Sequence, residues 1–186
     1  MNPIVPPIAT TLSVMTVATD VLIVLYFLSY LLGLFITPIR EIRTRALNSV
    51  VPIARIWAFI IALVAMSGSL FYSDVAKYTP CLLCWWQRIF MYPQVIIILM
   101  GIVKNDKNVA DYAMGLSAVG ILLAAYHYYI QLGGNSFFTC SQIGFSVACD
   151  QRFSLEFGYV TIPMMSLSAF ISIFLLMRLS KKKLFS

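Results

Sequence analysis

Charged residues are scarce in this chain of 186 residues. Asp, Glu, Lys and Arg make up 11% of it, against 61% hydrophobic residues, whereas a soluble domain carries about 25% charged residues. That shortage excludes a water-exposed globular surface, and the hydrophobic content excludes a disordered chain. The formal net charge is +6, but the basic residues flank apolar runs, which is typical of a membrane protein and not of a nucleic-acid-binding surface.

Five apolar runs of 17 to 21 residues make up most of the chain. About 20 residues are needed for a helix to cross the hydrocarbon core, and 17 can suffice. Helices are expected because backbone amides in hydrocarbon must be paired within the segment. The sequence therefore predicts an all-α integral membrane protein with five spans. Asp20 is expected to mark the outer end of the first, and the alternative is that it is a buried acid. The runs are residues 21–39, 56–72, 85–103, 112–132 and 157–177.

Lys and Arg are concentrated on one side of these spans. Cytoplasmic loops carry an excess of Lys and Arg, so this side is expected to be the cytoplasm, with the N-terminus outside and the C-terminus inside. The N-terminal stretch lacks the basic region of a cleaved signal peptide, so the first run is expected to remain as a span. The ten basic residues on this side are Arg40, Arg43, Arg45, Arg55, Lys104, Lys107, Arg178, Lys181, Lys182 and Lys183.

All four cysteines fall on the opposite, outer side. Cys81 and Cys84 end one outer loop, and Cys140 and Cys149 lie in the next. This is the oxidising face of a membrane, where disulfides persist. Four cysteines allow three pairings, of which the simplest joins Cys81 to Cys84 and Cys140 to Cys149.

The spacing Cys-x-x-Cys at residues 81–84, directly after Pro80, predicts cysteines in the first turn of a helix. Unpaired amides and the helix dipole favour an anion there, which lowers a thiol pKa below ~8.5 and makes the thiolate a good leaving group. A redox-active pair is therefore favoured over a structural disulfide, because so short a ring constrains the unfolded chain little. A zinc site is disfavoured because the outer cysteines lack a second Cys-x-x-Cys, and no metal is expected.

Two polar residues interrupt the apolar runs at similar depth, Arg88 and His127. Arg88 follows Cys84 by four residues and lies on the same helix face. It is expected to stabilise the Cys84 thiolate or bind a carbonyl of a redox partner, and the alternative is that it snorkels to the headgroups. His127, the one histidine, is expected either to donate a hydrogen bond to a ligand or to transfer a proton. The alternative is that its ring is hydrogen-bonded to a neighbouring helix and has no functional role.

The motif Pro-Cys-Leu-Leu-Cys-Trp-Trp-Gln-Arg at residues 80–88, followed by a second outer cysteine pair, resembles the DsbB family of disulfide-bond-formation membrane proteins. The short spacing of the second pair and residues 157–163 are most similar to its BdbC-type branch. The resemblance implies a four-helix transmembrane bundle in residues 54–180. One extra N-terminal transmembrane helix and a cytoplasmic loop fill residues 1–53, and residues 181–186 form a basic tail.

The resemblance also implies the family's activity. The protein would reoxidise a soluble DsbA-like thiol oxidase of the thioredoxin fold and pass the electrons to membrane quinone, ubiquinone or menaquinone. By position, Cys140 and Cys149 correspond to the pair that exchanges with this partner, and Cys140 corresponds to the residue that forms the mixed disulfide.

The helix-start pair and the two polar residues have counterparts as well. Cys81 and Cys84 correspond to the quinone-coupled pair, with Cys84 nearer the quinone, and Arg88 and His127 correspond to quinone-binding residues. The implied location is the bacterial cytoplasmic membrane, with the cysteine loops on its extracytoplasmic face. The extra first span and the shorter spacing of the second pair depart from the best-known family pattern.

Two other functions remain open from the sequence. A vitamin K epoxide reductase-like enzyme also joins two cysteine pairs to a quinone, but in that family the loop pair precedes the helix-start pair. A non-enzymatic membrane scaffold would carry two structural disulfides at the same positions.

Overall fold

The computed structural model describes residues 4–135 and 148–184. Within these ranges the regular structure is helical apart from one isolated bridge between Glu156 and Val160, so the prediction of an all-α fold is confirmed. A 3₁₀ turn at Val51–Ile53 precedes α3, and a π-helical turn at Phe71–Val75 extends it. The helices are α1 (Val5–Leu32), α2 (Thr37–Val50), α3 (Ala54–Leu70), α4 (Leu82–Val103), α5 (Val109–Gln131) and α6 (Ile162–Leu184).

Five helical stretches among the described residues are long and apolar enough to cross a membrane. They are α1, the stretch Thr37–Val75, α4, α5 and the stretch Ile162–Lys181. The predicted number of spans is therefore confirmed. Helices are the expected solution in hydrocarbon, because each span pairs its own backbone amides and carbonyls.

Helices α3 to α6 form a four-helix bundle, in which α3 and α5 each pack against both α4 and α6. Small residues line the core and let the helix backbones approach closely. One close approach is at Gly120 on α5, where a Cβ would come within 2.3 Å of the buried Phe170 ring of α6. Deeper in the bundle, Ser117 of α5 donates a hydrogen bond to Gln94 of α4 at 3.0 Å. Both side chains are fully buried, so each provides the other with a polar partner.

Helix α1 lies outside this bundle and packs against α6. Asp20 of α1 accepts hydrogen bonds from the hydroxyl groups of Ser168 on α6 and of Tyr159 in the turn before α6, the latter at 3.2 Å. A stripe of mostly small residues, spaced three or four apart, is buried along the same helix. These are Val5, Ala9, Ser13 and Thr16.

The predicted position of the first span is wrong. The sequence predicts residues 21–39 with Asp20 at the outer end, whereas the helix is Val5–Leu32 and Asp20 lies in its interior. An acid can be accommodated there because two hydroxyl groups hydrogen-bond to its carboxylate. Neither donor is adjacent to Asp20 in the sequence, so the run of apolar residues alone does not reveal them.

The last span also begins later than predicted. The apolar run starts at residue 157, but Phe157 and Gly158 have φ angles of 52° and 78°. These left-handed conformations form the turn that is closed by the Glu156–Val160 bridge, and α6 begins at Ile162. The turn fixes the outer end of α6 beside the second cysteine loop.

We predict that Asp20→Leu loosens α1 from α6, because it removes the acceptor of both interhelical hydrogen bonds. The free energy of unfolding should fall by about 1 kcal/mol, the order of such bonds in membranes. Tyr159→Phe removes one of the two bonds and should cost less. Unfolding in detergent micelles measures both, with the exposed Asp150→Asn as control. Equal stability of all four proteins would contradict a role for Asp20 in docking.

Candidate functional site

The Cys-x-x-Cys motif forms the N-terminus of α4. Cys81 is the N-cap, and its Sγ accepts a hydrogen bond from the backbone N–H of Cys84 at 3.3 Å. The first amides of a helix have no intrahelical partner, and the helix dipole favours negative charge at this end. Local backbone geometry therefore favours a thiolate at Cys81.

Cys81 and Cys84 are both thiols in this structure, with their Sγ atoms 2.8 Å apart. This is the reduced form of the predicted pair, and their disulfide stays a prediction. The two sulfurs differ in surroundings: Cys81 is 3% exposed, whereas Cys84 is half-buried. Reagents and partners therefore approach the pair more easily through Cys84.

His127 of α5 lies directly beside the pair. Its side chain is 1% exposed, and its Nε2 is 3.5 Å from the Sγ of Cys81 and 3.2 Å from the backbone oxygen of Cys149. One imidazole nitrogen thus contacts both the helix-start pair and the backbone of the second cysteine loop.

Gln87 sets the tautomer of this histidine. Its amide Nε2 lies 2.9 Å from Nδ1 of His127. An amide nitrogen can only donate, so Nδ1 accepts and the proton of a neutral ring is on Nε2. That proton points towards Cys81 and Cys149. Gln87 is buried and polar within an apolar helix, which is the signal by which the sequence could have revealed it.

The pKa of the Cys81 thiol is lowered from its usual value to about 5. The largest cause is the hydrogen bond from the Cys84 thiol, followed by the hydrogen bond and charge of His127, while burial opposes the shift. Hydrogen bonds to the anion outweigh its desolvation. The sequence predicts an acidic thiol in this motif, and the geometry assigns it to the first cysteine.

The second cysteine loop spans residues 133–156, of which residues 136–147 lie outside the described residues. Cys149 is buried and disulfide-bonded, and it packs in one apolar cluster with Cys81, Leu83 and Ile130. Cys140 lies outside the described residues, so its pairing with Cys149 stays a prediction. The fold nevertheless brings the end of this loop against the helix-start pair.

Arg88 is bound to α3. Its Nε donates to the Ser69 hydroxyl at 2.9 Å and its Nη2 to the Ser69 carbonyl at 3.1 Å, and Tyr92 donates to the same hydroxyl at 3.2 Å. The guanidinium lies 5.1 Å from the ring centre of Trp85, which is 52% exposed. Arg88 is thus fixed at the outer surface of the bundle. Ser69 is a partner that the sequence does not indicate.

A small cavity adjoins the other side of the pair. Its volume is about 20 Å³, enough for one water molecule but not for an aromatic ring. Cys81, Cys84, His127 and Gln131 contribute to its wall. Gln131 is 6% exposed, and its Oε1 has no hydrogen-bond partner among the described residues.

Comparison with known proteins gives one family and several relatives. The family described as disulfide bond formation protein DsbB matches residues 52–179. The probable disulfide formation protein C of Halalkalibacterium halodurans is 42% identical over 118 residues, which cover 63% of this chain and 85% of that protein. No solved structure matches.

Two proteins of Bacillus subtilis are also similar to this chain. Its disulfide bond formation protein C is 36% identical over 126 residues, covering 67% of this chain and 89% of that protein. Its SPbeta prophage-derived disulfide bond formation protein B is 40% identical over 117 residues, covering 62% and 77%. The family match begins after α1 and α2 and covers α3, α4, α5 and most of α6.

We predict that the Cys81 thiol titrates near pH 5, so its thiolate absorbance persists at neutral pH and is lost on acidification through that value. Cys84→Ala should raise the midpoint by about one to two pH units, the worth of one hydrogen bond to an anion, and His127→Leu by less. Ultraviolet titration of a variant with Cys140→Ser and Cys149→Ser isolates this signal. A midpoint that neither substitution moves would contradict the assigned hydrogen bonds.

Proposed function

Because the chain belongs to the DsbB family of disulfide bond formation proteins, we propose that it is a protein-dithiol:quinone oxidoreductase. It reoxidises a soluble DsbA-like thiol oxidase and passes two electrons through two cysteine pairs to membrane quinone. The observation that carries this proposal is the Cys81–Cys84 dithiol at a helix start, joined by one imidazole to the backbone of Cys149. The family match favours it over the vitamin K epoxide reductase-like enzyme and the scaffold.

The first step is exchange between the carrier and the loop pair. A thiolate of the reduced carrier attacks Sγ of Cys140 in the Cys140–Cys149 disulfide, and Cys149 leaves as a thiolate. The second carrier thiol then displaces Cys140, which leaves the carrier oxidised and the loop pair reduced. Two electrons have entered the protein as a dithiol.

The second step is exchange between the two pairs. The reduced loop pair opens the Cys81–Cys84 disulfide through a mixed disulfide and is itself reoxidised. The packing of Cys149 against Cys81 supports a short path for this exchange. The resulting dithiol is stabilised with its negative charge on Cys81, because Cys84 and His127 both donate to that sulfur.

The quinone-binding face is proposed on the outside of α4. A quinone ring needs an apolar planar surface and a donor for its carbonyl oxygen, and the exposed Trp85 ring with Arg88 above it supplies both. Ser69 engages two of the five N–H donors of Arg88, so others can serve a ligand. When bound, quinone supplies the acceptor for the two electrons and two protons released as the dithiol closes.

His127 has a different role in this proposal from the quinone contact that the resemblance implies. Both of its ring nitrogens already have partners within the bundle, and the adjoining cavity has room for one water molecule but not for an aromatic ring. We assign to it the stabilisation of the Cys81 thiolate.

The proposed orientation has the cysteine loops on the extracytoplasmic face of a bacterial cytoplasmic membrane. At the opposite end of the bundle, Arg55 donates to Ser180 at 3.0 Å, and Lys181 pairs with Asp111 at 2.5 Å. These contacts, with the basic residues of α2, support a cytoplasmic location for that end. The N-terminus then lies outside and the C-terminus inside.

We predict that Cys81→Ser and Cys84→Ser each abolish carrier-dependent quinone reduction, because neither variant can form the helix-start disulfide. Quinone absorbance in proteoliposomes measures the activity. Cys149→Ser should instead accumulate a mixed disulfide between the carrier and Cys140, seen on a non-reducing gel. Full activity of Cys84→Ser would refute the relay.

We predict that Arg88→Ala raises the apparent quinone KM by roughly tenfold or more, the worth of one charge-assisted hydrogen bond. The KM for the carrier should not change. Ser69→Ala leaves the guanidinium in place but less fixed and should give a smaller rise. An unchanged quinone KM in Arg88→Ala would remove this residue from the quinone site.

A further inference from the structure

We propose that the reduced Cys81–Cys84 pair and His127 form a reversible Zn²⁺ site that holds the protein in its dithiol state. The two Sγ atoms and one ring nitrogen of these residues lie within 4.8 Å of one another. Two thiolates and an imidazole are a donor set typical of zinc. The sequence disfavours zinc because there is no second Cys-x-x-Cys, but the fold supplies His127 of α5 as a third ligand instead.

The ligand atoms need little movement to close around an ion. Zn–S bonds of about 2.3 Å in a tetrahedral site place two sulfurs about 3.8 Å apart. The Sγ atoms are 2.8 Å apart, and Nε2 of His127 is 3.5 Å from Cys81. The sulfurs must therefore separate by about 1 Å, which a rotation of the half-buried Cys84 side chain provides.

The cavity beside the pair supplies the fourth position. It has room for one water molecule and is bounded by all three proposed ligands and by Gln131. The Oε1 of Gln131 is buried and has no hydrogen-bond partner within the described part of the chain. A water bound to zinc would donate a hydrogen bond to this oxygen, which gives the orphaned acceptor a partner.

Gln87 completes the site as a partner of the histidine. For Nε2 of His127 to bind a metal, the ring proton must be on Nδ1. A half-turn of the Gln87 amide then presents its oxygen to Nδ1–H at the position where its nitrogen now lies, 2.9 Å away. Zinc-bound histidines are usually held in this way by a second residue.

Binding at this site depends on the redox state. The ion binds the Cys81 thiolate and displaces the proton of the Cys84 thiol to solvent, and no electron moves. The Cys81–Cys84 disulfide has no thiolate to offer, so the oxidised protein lacks two of the three ligands. Zinc would thus trap the dithiol and prevent it from passing electrons on.

The test uses the full-length protein in detergent under anaerobic conditions, with Co²⁺ as a spectroscopic probe for Zn²⁺. Cys140→Ser and Cys149→Ser are introduced so that only the helix-start pair can contribute thiolates. The reduced protein is expected to bind one Co²⁺ with a thiolate charge-transfer band, and Zn²⁺ is expected to displace it. The oxidised form of the same protein, which is the matched control, should show no band.

Two variants identify the ligands. His127→Gln should weaken Co²⁺ binding more than about hundredfold, and Gln131→Leu by about tenfold to hundredfold, as for partners outside the metal's own ligands. Unchanged binding in His127→Gln, or an equal band in the oxidised protein, would overturn the proposal. Because metal binding is read without quinone or carrier, its failure is distinct from a failure of the proposed electron relay.

Discussion

The contact between His127 and Cys81 is the interaction on which the rest of the site depends. Within a membrane bundle, polar groups must find their partners inside the protein, and this histidine has three. Gln87 holds one ring nitrogen, and the other faces both the Cys81 sulfur and the Cys149 carbonyl. A change of charge on that sulfur therefore changes the hydrogen bonding of an imidazole nitrogen that also contacts the end of the second cysteine loop.

The helical period of α4 places some of its functional side chains on the buried face and others on the outer face of the bundle. Leu83 and Gln87 are buried within the bundle, whereas Trp85 is exposed on the outside. Cys84 and Arg88, four residues apart, lie at the border between these faces and are half-buried. The thiolate is thus stabilised from the inside by α5, while the second sulfur and the arginine are accessible from the lipid side. In the proposed relay, a lipid-soluble acceptor would therefore reach the helix-start pair from the outside of the bundle, whereas electrons would arrive from the second cysteine loop.

The sequence predicts the class of fold and the position of the Cys-x-x-Cys pair at a helix start, because both follow from local patterns. Long apolar runs specify spans, and Cys-x-x-Cys after proline specifies an acidic thiol at a helix start. Neither Ser69 nor Gln87 is predicted, because both act across helices. The spacing of Ser69 in the chain carries no signal, whereas Gln87 is marked by its polar side chain in an apolar helix. Asp20 shows the same limit. A charged residue in an apolar run predicts the end of a span, and the sequence does not indicate that Ser168 of another helix donates a hydrogen bond to this carboxylate.

Helix α1 is an addition to the bundle that the family match covers, and its contacts indicate what it contributes. The carboxylate of Asp20 accepts a hydrogen bond from the Tyr159 hydroxyl. The Tyr159 carbonyl in turn accepts a hydrogen bond from the Tyr128 hydroxyl of α5 at 3.2 Å. Tyr128 is the neighbour of His127 in the sequence. The turn that ends the second cysteine loop is therefore fixed from both sides, by α1 and by the helix that carries the histidine. In the proposed relay the backbone of Cys149 must stay near that histidine for electrons to pass between the two pairs. The contacts of the extra helix would therefore stabilise the geometry of this relay without taking part in its chemistry.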